Sequence, residues 1–259
     1  MNLHERLADE LWTAARKLAT VPPISDRYPD FTLDDAYAVQ HALLARHFAD
    51  GATIAGHKIG ATSDVIKRMF HIDHPDFGFV SDRMLFPDKA SVAIGDFIAP
   101  KVEGEIAFRM ADDLAGEDVT AQDVLVRTAE LVPVIEILDS RIENWRIQLV
   151  DTVADNASCG GVVVGTGVPL DGVDLPAERV EFTVGEVTHE AFGSAVLGHP
   201  AEAVAWLARM LSRYGNGIRA GELVLAGAWA EAADLVAGAT TTAAFGTLGS
   251  VTLLTRAAG

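Results

Sequence analysis

The sequence predicts an α+β fold in which a helical N-terminal section precedes a mixed, rolled β-sheet body. Apolar residues recur at helical spacing through the first 50 residues, which indicates helices. From about residue 92 onward, short β-branched apolar runs dominate and few helices interrupt them. Many short strands with few helices are typical of a curled or barrel-like sheet. We place the boundary at residue 75, with the helical section over 1–75 and the β-rich body over 76–259.

Two helices and one strand are predicted before residue 62. The first helix covers 2–20 and ends before two consecutive prolines, which disfavour helical geometry in the residue preceding them. The second begins after the capping residue Thr32, with an acidic residue three positions on, and ends at Gly51. A glycine-punctuated strand follows at 53–60, and then a short helix at about 62–70.

The β-rich body is predicted from its apolar runs and two interrupting helices. One helix covers about 120–131 and is capped by Thr120. The other covers about 200–214 and begins at Pro200, a residue favoured in the first helical turn. The predicted strands are 102–110, 132–138, 160–166, 179–186, 222–228, 239–246 and 249–255.

Composition excludes several classes of protein. The 259-residue chain is 49% hydrophobic, which is enough for a core and argues against global disorder. Its formal net charge of −17 would repel phosphate backbones, so we expect no nucleic-acid partner. The N-terminus has no signal-peptide pattern, and no uncharged apolar run could span a bilayer, so we expect a cytoplasmic protein that binds no membrane.

Three glutamates form the predicted metal site. Glu103 and Glu105 are alternate residues of a strand, so their carboxylates should lie about 7 Å apart on one face. Glu136 lies within another apolar run, where a buried charge is costly unless it is paired or bound to metal. Carboxylate oxygens suit a hard cation such as Mg²⁺ or Mn²⁺, and this pattern favours an enzyme.

Lys58 and Asp76 are candidate proton-transfer residues. Lys58 lies in an apolar, glycine-flanked strand, where burial would lower its pKa and allow it to act as a base, an acid or an anion clamp. Snorkelling of Lys58 to water is an equal alternative. Asp76 follows a proline and precedes a glycine, so we favour a turn aspartate over a carboxylate that acts in a site.

The polar segment 151–161 is a candidate substrate site. Asp155, Asn156 and Ser158 crowd together where one capping residue would suffice, which favours the binding of a small anion over a simple capped turn. Arg141 could bind a substrate carboxylate, although an ion pair with Asp139 or Glu143 is favoured. Cys159, the single cysteine, is predicted to pack rather than react.

The histidines give weaker signals. His71 and His74 have helical metal-ligand spacing, but the intervening Asp73 and the following Pro75 argue for surface histidines. His199 precedes Pro200 and is predicted to cap or pack. The glycine patterns of phosphate and dinucleotide sites are absent from the sequence.

Six segments, taken together, resemble the hydratase/decarboxylase family of meta-cleavage pathways, within the fumarylacetoacetate hydrolase superfamily. The resemblance extends from about residue 30 to residue 255. The six segments together are specific for the family, whereas each alone would be a weak signal. The segments are Gly-His-Lys-Ile-Gly-Ala-Thr-Ser, Pro-Asp-Phe-Gly, Lys-Val-Glu-Gly-Glu-Ile-Ala-Phe, Val-Ile-Glu-Ile-Leu-Asp-Ser-Arg-Ile, Val-Asp-Thr-Val-Ala-Asp-Asn-Ala-Ser and Leu-Gly-His-Pro.

The resemblance implies a fold of the fumarylacetoacetate hydrolase C-terminal type and a Mg²⁺ or Mn²⁺ ion held by carboxylates. It implies an active-site lysine at Lys58, an aspartate at Asp76 and a substrate contact at Ser158. It also implies a small 2-hydroxydienoate or 2-oxo acid substrate. We further expect a homo-oligomer and a possible association with a pathway decarboxylase.

Three activities fit the resemblance. Hydration of a 2-hydroxy-2,4-dienoate ranks first, because the stretch after Ser140 looks most like the hydratases. Decarboxylation of 4-oxalocrotonate is the alternative, and C–C hydrolysis of an acylpyruvate is a further one. Trp229 and Glu231 depart from the usual hydratase pattern. A pocket around Trp229 and Ala228 would favour a small or apolar substrate tail over the second carboxylate of 4-oxalocrotonate, because a carboxylate against an indole is poorly solvated.

Overall fold

A computed structural model of the chain describes residues 1–62 and 75–258. The short helix predicted at about 62–70 and the histidines at 71 and 74 therefore lie largely or wholly outside the described residues. The helices within them are α1 (Leu3–Lys17), α2 (Ile24–Arg27), α3 (Leu33–Ala49), α4 (Ala121–Val126), α5 (Leu149–Ala154) and α6 (Pro200–Arg213).

Side-chain caps fix the ends of the long helices much as the sequence predicts. Thr32 accepts a hydrogen bond from the backbone N–H of Asp35, and the Asp35 carboxylate bonds back to Thr32, which confirms the predicted capping box of α3. His199 Nδ1 accepts the backbone N–H of Ala201 at 3.0 Å, which confirms its capping role at α6. Helix α1 ends earlier than predicted, because Leu18 adopts a left-handed conformation.

Two sheets form the body, and the larger one combines parallel and antiparallel pairs. The strands are β1 (Ile54–Gly60), β2 (Asp76–Ser81), β3 (Leu85–Pro87), β4 (Ala90–Ala93), β5 (Lys101–Met110), β6 (Thr128–Leu138), β7 (Cys159–Val164), β8 (Arg179–Val184), β9 (Val187–Phe192), β10 (Leu223–Leu225), β11 (Ala233–Asp234), β12 (Thr240–Phe245) and β13 (Gly249–Arg256). Among the described residues the larger sheet has the strand order β2-β1-β10-β5-β6-β7-β3, with β11 also paired to β5, and the smaller sheet has the order β4-β13-β12-β8-β9.

The sequence overestimated the helix predicted at about 120–131. Helix α4 ends at Val126, and β6 begins at Thr128, four residues before its predicted start. Pairing with β5 overrides the local helical pattern, and Arg109 Nε donates to Glu130 across this pair at 2.6 Å. The sequence also missed the edge strand β9, because most of its side chains are exposed and it has no buried apolar face.

The large sheet separates two environments. On β5, the side of Gly104 packs against Phe182 and Ala243 of the smaller sheet, while Glu103 and Glu105 point to the opposite side. Strand β1 lies before the boundary predicted at residue 75, yet it pairs with β2 and β10 inside this sheet. The division of the chain into 1–75 and 76–259 stays a prediction. None of the described helices is long and apolar enough to cross a membrane.

Candidate active site

The three predicted metal ligands converge on neighbouring strands. Glu103 of β5 lies directly opposite Glu136 of β6, and Glu105 follows two residues along the same face. One carboxylate oxygen from each residue lies within 4.8 Å of the other two. Glu105 and Glu136 are fully buried, and Glu103 is partly buried. Three carboxylates this close repel one another unless a cation or protons lie among them.

The hydrogen bonding of these carboxylates fits a cation. Glu105 Oε2 accepts the backbone N–H of Gly227 at 2.9 Å. Within the described parts of the chain, Glu105 Oε1 and both oxygens of Glu136 accept no hydrogen bond. Burial, followed by repulsion from Glu136, raises the pKa of Glu103 to about 7 and that of Glu105 well above its usual value. A divalent ion would satisfy the oxygens that accept no hydrogen bond and, together with the Lys58 ammonium 3.4 Å from Glu136 Oε1, offset the repulsion.

Gly227 lies beside Glu105 at a position that favours glycine. Its φ is +111°, which favours glycine, and a Cβ at this position would lie 2.5 Å from Thr62 Oγ1. Thr62 is itself buried. The backbone of Gly227 can therefore approach and hold the Glu105 carboxylate in a way that a larger residue would prevent.

Lys58 is buried in the site, which excludes the snorkelling alternative. Its side chain points to the face that carries Glu136, and Nζ lies 3.4 Å from Glu136 Oε1. Nζ also donates a hydrogen bond to the Ala157 carbonyl at 3.0 Å. The predicted fall in pKa is wrong: burial alone would lower the pKa of Lys58, but the carboxylates of Glu136, Asp76 and Glu103 outweigh it and raise the pKa.

Asp76 is a buried strand residue, so the turn interpretation favoured from the sequence is wrong. It begins β2 directly opposite Gly60 of β1 and is 5% exposed. A Cβ at position 60 would lie 2.2 Å from Asp76 Oδ1 and 3.2 Å from Lys58 Nζ. The two side chains therefore converge on the space above Gly60. The flanking proline and glycine suggested a turn, but pairing between β1 and β2 decided the conformation.

Arg141 and Asp155 form a buried ion pair with each other. Arg141 Nε donates to Asp155 Oδ1 at 2.5 Å, and the Arg141 backbone N–H donates to Asp155 Oδ2 at 2.9 Å. The pairing predicted with Asp139 or Glu143 is wrong, because the Asp139 carboxylate accepts the backbone N–H groups of Ile98 and Ala99. Arg141 also donates to the carbonyls of Asp139, Asp155 and Cys159. This pair joins the loop after β6 to the segment before β7.

Ser158 and Cys159 lie buried next to this ion pair. Ser158 is 2% exposed, and its Oγ lies 3.2 Å from Thr152 Oγ1. Its neighbour Ala157 contacts Lys58, so the structure brings the polar segment to the lysine. Cys159 is buried in β7, and burial raises the pKa of its thiol, in keeping with the packing role predicted for it.

Trp229 packs between the two sheets. Its indole is buried and meets the ring of Phe245 edge-on, with centroids 5.0 Å apart. Its six-membered ring also lies close to Gly193. These contacts make the Trp229 side chain part of the core, and the substrate-tail pocket expected around Trp229 and Ala228 stays a prediction. Glu231 is exposed.

Sequence reasoning missed two residues that shape the site. Gly227 looks like any glycine after a short strand, and only the distant pairing of β10 and β5 brings it to Glu105. Asn156 was considered only as part of a polar segment that could bind a small anion, not as a residue that bonds another strand. Its side chain bonds the backbone of Phe79, 77 residues away, and no local pattern signals such a contact.

The chain has relatives among proteins of known sequence. No protein-family profile matches the chain. It is 42% identical over 238 residues to 2-hydroxyhexa-2,4-dienoate hydratase of Comamonas testosteroni, covering 90% of each chain. It is also 42% identical over 226 residues to 2-keto-4-pentenoate hydratase of Paraburkholderia xenovorans, covering 86% of this chain and 84% of the relative.

Several solved structures have the same fold as this chain. The 4-oxalocrotonate decarboxylase of Pseudomonas putida G7, complexed with magnesium and adipate, superimposes with a TM-score of 0.94, at 31% identity over 97% of each chain. The fumarylpyruvate hydrolase of Pseudomonas aeruginosa, with Mn²⁺ and pyruvate, has a TM-score of 0.64 at 13% identity, covers 78% of this chain and 89% of its own, and shows the fold alone. The chain thus belongs to the 2-keto-4-pentenoate hydratase family, as its motifs indicated.

Proposed function

We propose that this protein is a metal-dependent hydratase of aromatic meta-cleavage degradation. It adds water to a 2-hydroxy-2,4-dienoate and gives a 4-hydroxy-2-oxo acid. The observation that carries the proposal is the 42% identity to dienoate hydratases over nearly the whole chain, together with a buried cluster of three carboxylates beside Lys58.

Glu103, Glu105 and Glu136 are the residues that would hold Mg²⁺ or Mn²⁺. When bound, the ion supplies Lewis-acid stabilisation of negative charge on the substrate's C2 oxygen. Their buried, partly unbonded oxygens support this assignment. Neutralising these carboxylates would also remove much of the field that raises the Lys58 pKa, which would bring the ammonium closer to a useful proton donor.

Lys58 and Asp76 are the residues we assign to proton transfer. Both side chains are buried, and both reach the space above Gly60, next to the carboxylate cluster. The reaction requires a proton at C5 to convert the dienol into a 2-oxo-3-enoate. Water then adds its hydroxyl at C4 and a proton at C3. A lysine and a carboxylate that face the same small volume can deliver and remove these protons.

Ser158, Asp155 and Arg141 make up the proposed substrate-binding side. Ser158 supplies a hydroxyl next to the carbonyl that Lys58 contacts. The Arg141–Asp155 pair is fully engaged in hydrogen bonds, so we propose that it holds the segment that carries Ser158. Direct binding of a substrate carboxylate by Arg141 would require competition with this pair.

Decarboxylation of 4-oxalocrotonate is the second candidate. It is favoured by the TM-score of 0.94 to a 4-oxalocrotonate decarboxylase, although identity to that protein is only 31%. The two reactions differ in product. Purified protein with Mg²⁺ should therefore receive 2-hydroxypentadienoate and 4-oxalocrotonate in parallel, with products followed by NMR. We expect 4-hydroxy-2-oxo acid to form faster; faster release of CO₂ from 4-oxalocrotonate would reverse the assignment.

We also propose a homo-oligomer, an association with a pathway decarboxylase and a cytoplasmic location. Exposed apolar side chains at the two ends of the edge strand β9, Val187 and Phe192, support self-association. Light scattering of the purified protein, alone and mixed with such a decarboxylase, tests both kinds of association. A monomer that does not change mass on mixing would contradict them.

A further inference from the structure

The side chain of Asn156 is bonded to the backbone of strand β2 in the manner of a neighbouring strand. Its Oδ1 accepts the backbone N–H of Phe79 at 2.8 Å, and its Nδ2 donates to the Phe79 carbonyl at 2.9 Å. Asn156 is 1% exposed, so both hydrogen bonds are shielded from water. One amide thus fixes the segment before β7 to the strand that begins with Asp76.

The two hydrogen bonds between the Asn156 side chain and Phe79 hold a segment with an unusual backbone conformation. Asn156, Ala157 and Ser158 have φ values of 55°, 49° and 55°, so three successive non-glycine residues adopt the left-handed conformation. Asparagine tolerates this region, but alanine and serine disfavour it and adopt it only where the surroundings impose it. The left-handed turn is what directs the Ala157 carbonyl to Lys58 Nζ.

Asn156 packs closely against strand β2. Gly78 lies opposite Lys58 in the β1–β2 pair, and a Cβ there would lie 2.6 Å from the Asn156 carbonyl oxygen and 2.9 Å from Asn156 Oδ1. The Arg141–Asp155 ion pair fixes the residue before Asn156. The left-handed turn is therefore held at both of its ends, by an ion pair at Asp155 and by the amide at Asn156.

We propose that Asn156 is a positioning residue for the reaction. By pairing with Phe79 it holds the Ala157 carbonyl where that carbonyl accepts one N–H of Lys58, which fixes the direction of the remaining N–H groups. A lysine has three rotatable donors and a flexible stem, so a fixed acceptor restricts where it can deliver a proton. The inference rests on the proposed role of Lys58.

Asn156→Gly and Asn156→Asp test this role. Glycine keeps the left-handed conformation accessible but removes both hydrogen bonds, and aspartate keeps only the acceptor for the Phe79 N–H. We expect Asn156→Gly to lower kcat about 10- to 100-fold, the range found when a residue that orients a metal ligand through a hydrogen bond is replaced, with little change in KM or Mg²⁺ affinity. Asn156→Asp should lie between it and the parent. It also provides the same test if the glycine variant does not fold.

Asn144→Gly is the matched control. Asn144 also has a left-handed φ, of 56°, but it is exposed and lies outside the site. Its replacement should leave kcat unchanged. An equal loss in the two glycine variants would overturn the inference, because it would reflect a general effect of removing a left-handed asparagine.

A double-mutant cycle separates positioning from general stability. In a Lys58→Met background, Asn156→Gly should cause no further loss of kcat, since the group that it positions is absent. An equal loss in both backgrounds, or no loss in the parent, would overturn the inference while leaving Lys58 in place. If Lys58→Met alone keeps the parent kcat, the proposed role of Lys58 fails instead.

Discussion

Two regions meet at the site and differ in how they are built. One is the strand-borne face, which carries Glu103, Glu105, Glu136 and Lys58 on regular paired strands. The other is the segment Asp155–Ser158, which is irregular and is held by side chains. In the first region, alternation along a strand decides where each side chain points. In the second region, single contacts between distant residues decide where each side chain points. The structure of this segment should therefore depend more strongly on individual side chains.

Gly60→Ala should have the largest effect on the strand-borne face. The new methyl group would lie 2.2 Å from Asp76 Oδ1, so the aspartate must move. A displacement of about 1 Å can cost about 10²-fold, and we expect kcat/KM to fall by at least about that factor with Mg²⁺ affinity largely kept. Steady-state kinetics measure the first quantity and calorimetric titration the second.

Gly95→Ala is the control for this change. Gly95 is exposed, and among the described residues only Ala258 approaches its added methyl group, at 3.0 Å. This variant should keep the parent activity. A Gly60→Ala protein that is as active as Gly95→Ala would mean that Asp76 is not needed where the structure places it.

Arg141→Met should break the Asp155–Ser158 segment. It leaves the Asp155 carboxylate buried without its cation, and such a loss typically costs about 3–5 kcal/mol of unfolding free energy. Chemical denaturation measures this cost, and adding Asp155→Asn should recover part of it by removing the unpaired charge. Unchanged stability combined with a raised KM would contradict the structural role and show that Arg141 binds substrate.

The extent to which Mg²⁺ stabilises the folded protein should depend on pH. This effect should be smaller than those of the substitutions above, and it tests the strand-borne face. Burial and Glu136 raise the pKa of Glu103 from about 4.5 to about 7 in the folded protein. The folded state therefore binds more protons between these values, so without metal this group's contribution to stability is lost as pH rises from about 4.5 to about 7.

Mg²⁺ reverses this loss, because it binds the deprotonated carboxylates. The rise in Tm caused by Mg²⁺ should be several degrees larger at about pH 8 than at about pH 5.5. Thermal denaturation with Mg²⁺ and with chelator measures it. A rise that is equal at both pH values would contradict proton competition at the carboxylates.

The strand-borne face could be predicted because its signals are local. Glu103 and Glu105 are two residues apart within one apolar run, and this spacing alone sets them on one face. Glu136 stood out as a charge in a second apolar run, and the register of β5 and β6 then placed it opposite Glu103. The burial of Lys58 was left open, and the structure decided it.

The remainder could not be predicted, because it depends on contacts far apart in the chain. The pKa of Lys58 rises because three carboxylates from other strands surround it. The prediction from sequence considered only the apolar strand that carries Lys58. Asp76 was assigned to a turn from its neighbours, although pairing with β1 makes it a strand residue. The left-handed turn at Ala157 has no local signal, since neither alanine nor serine favours that conformation.

Binding of Mn²⁺ to the parent, Glu136→Gln and Glu231→Gln proteins tests the central claim most directly. Glu136 is buried in the carboxylate cluster, and Glu231 is exposed and outside it. Electron paramagnetic resonance titration should give one tight Mn²⁺ site per chain in the parent and in Glu231→Gln. In Glu136→Gln the affinity should fall by about 10²-fold or more, which corresponds to about 2.8 kcal/mol or more, since a neutral amide replaces one of three charged ligands of a hard cation. A Glu136→Gln protein that binds Mn²⁺ as tightly as the parent would contradict the account.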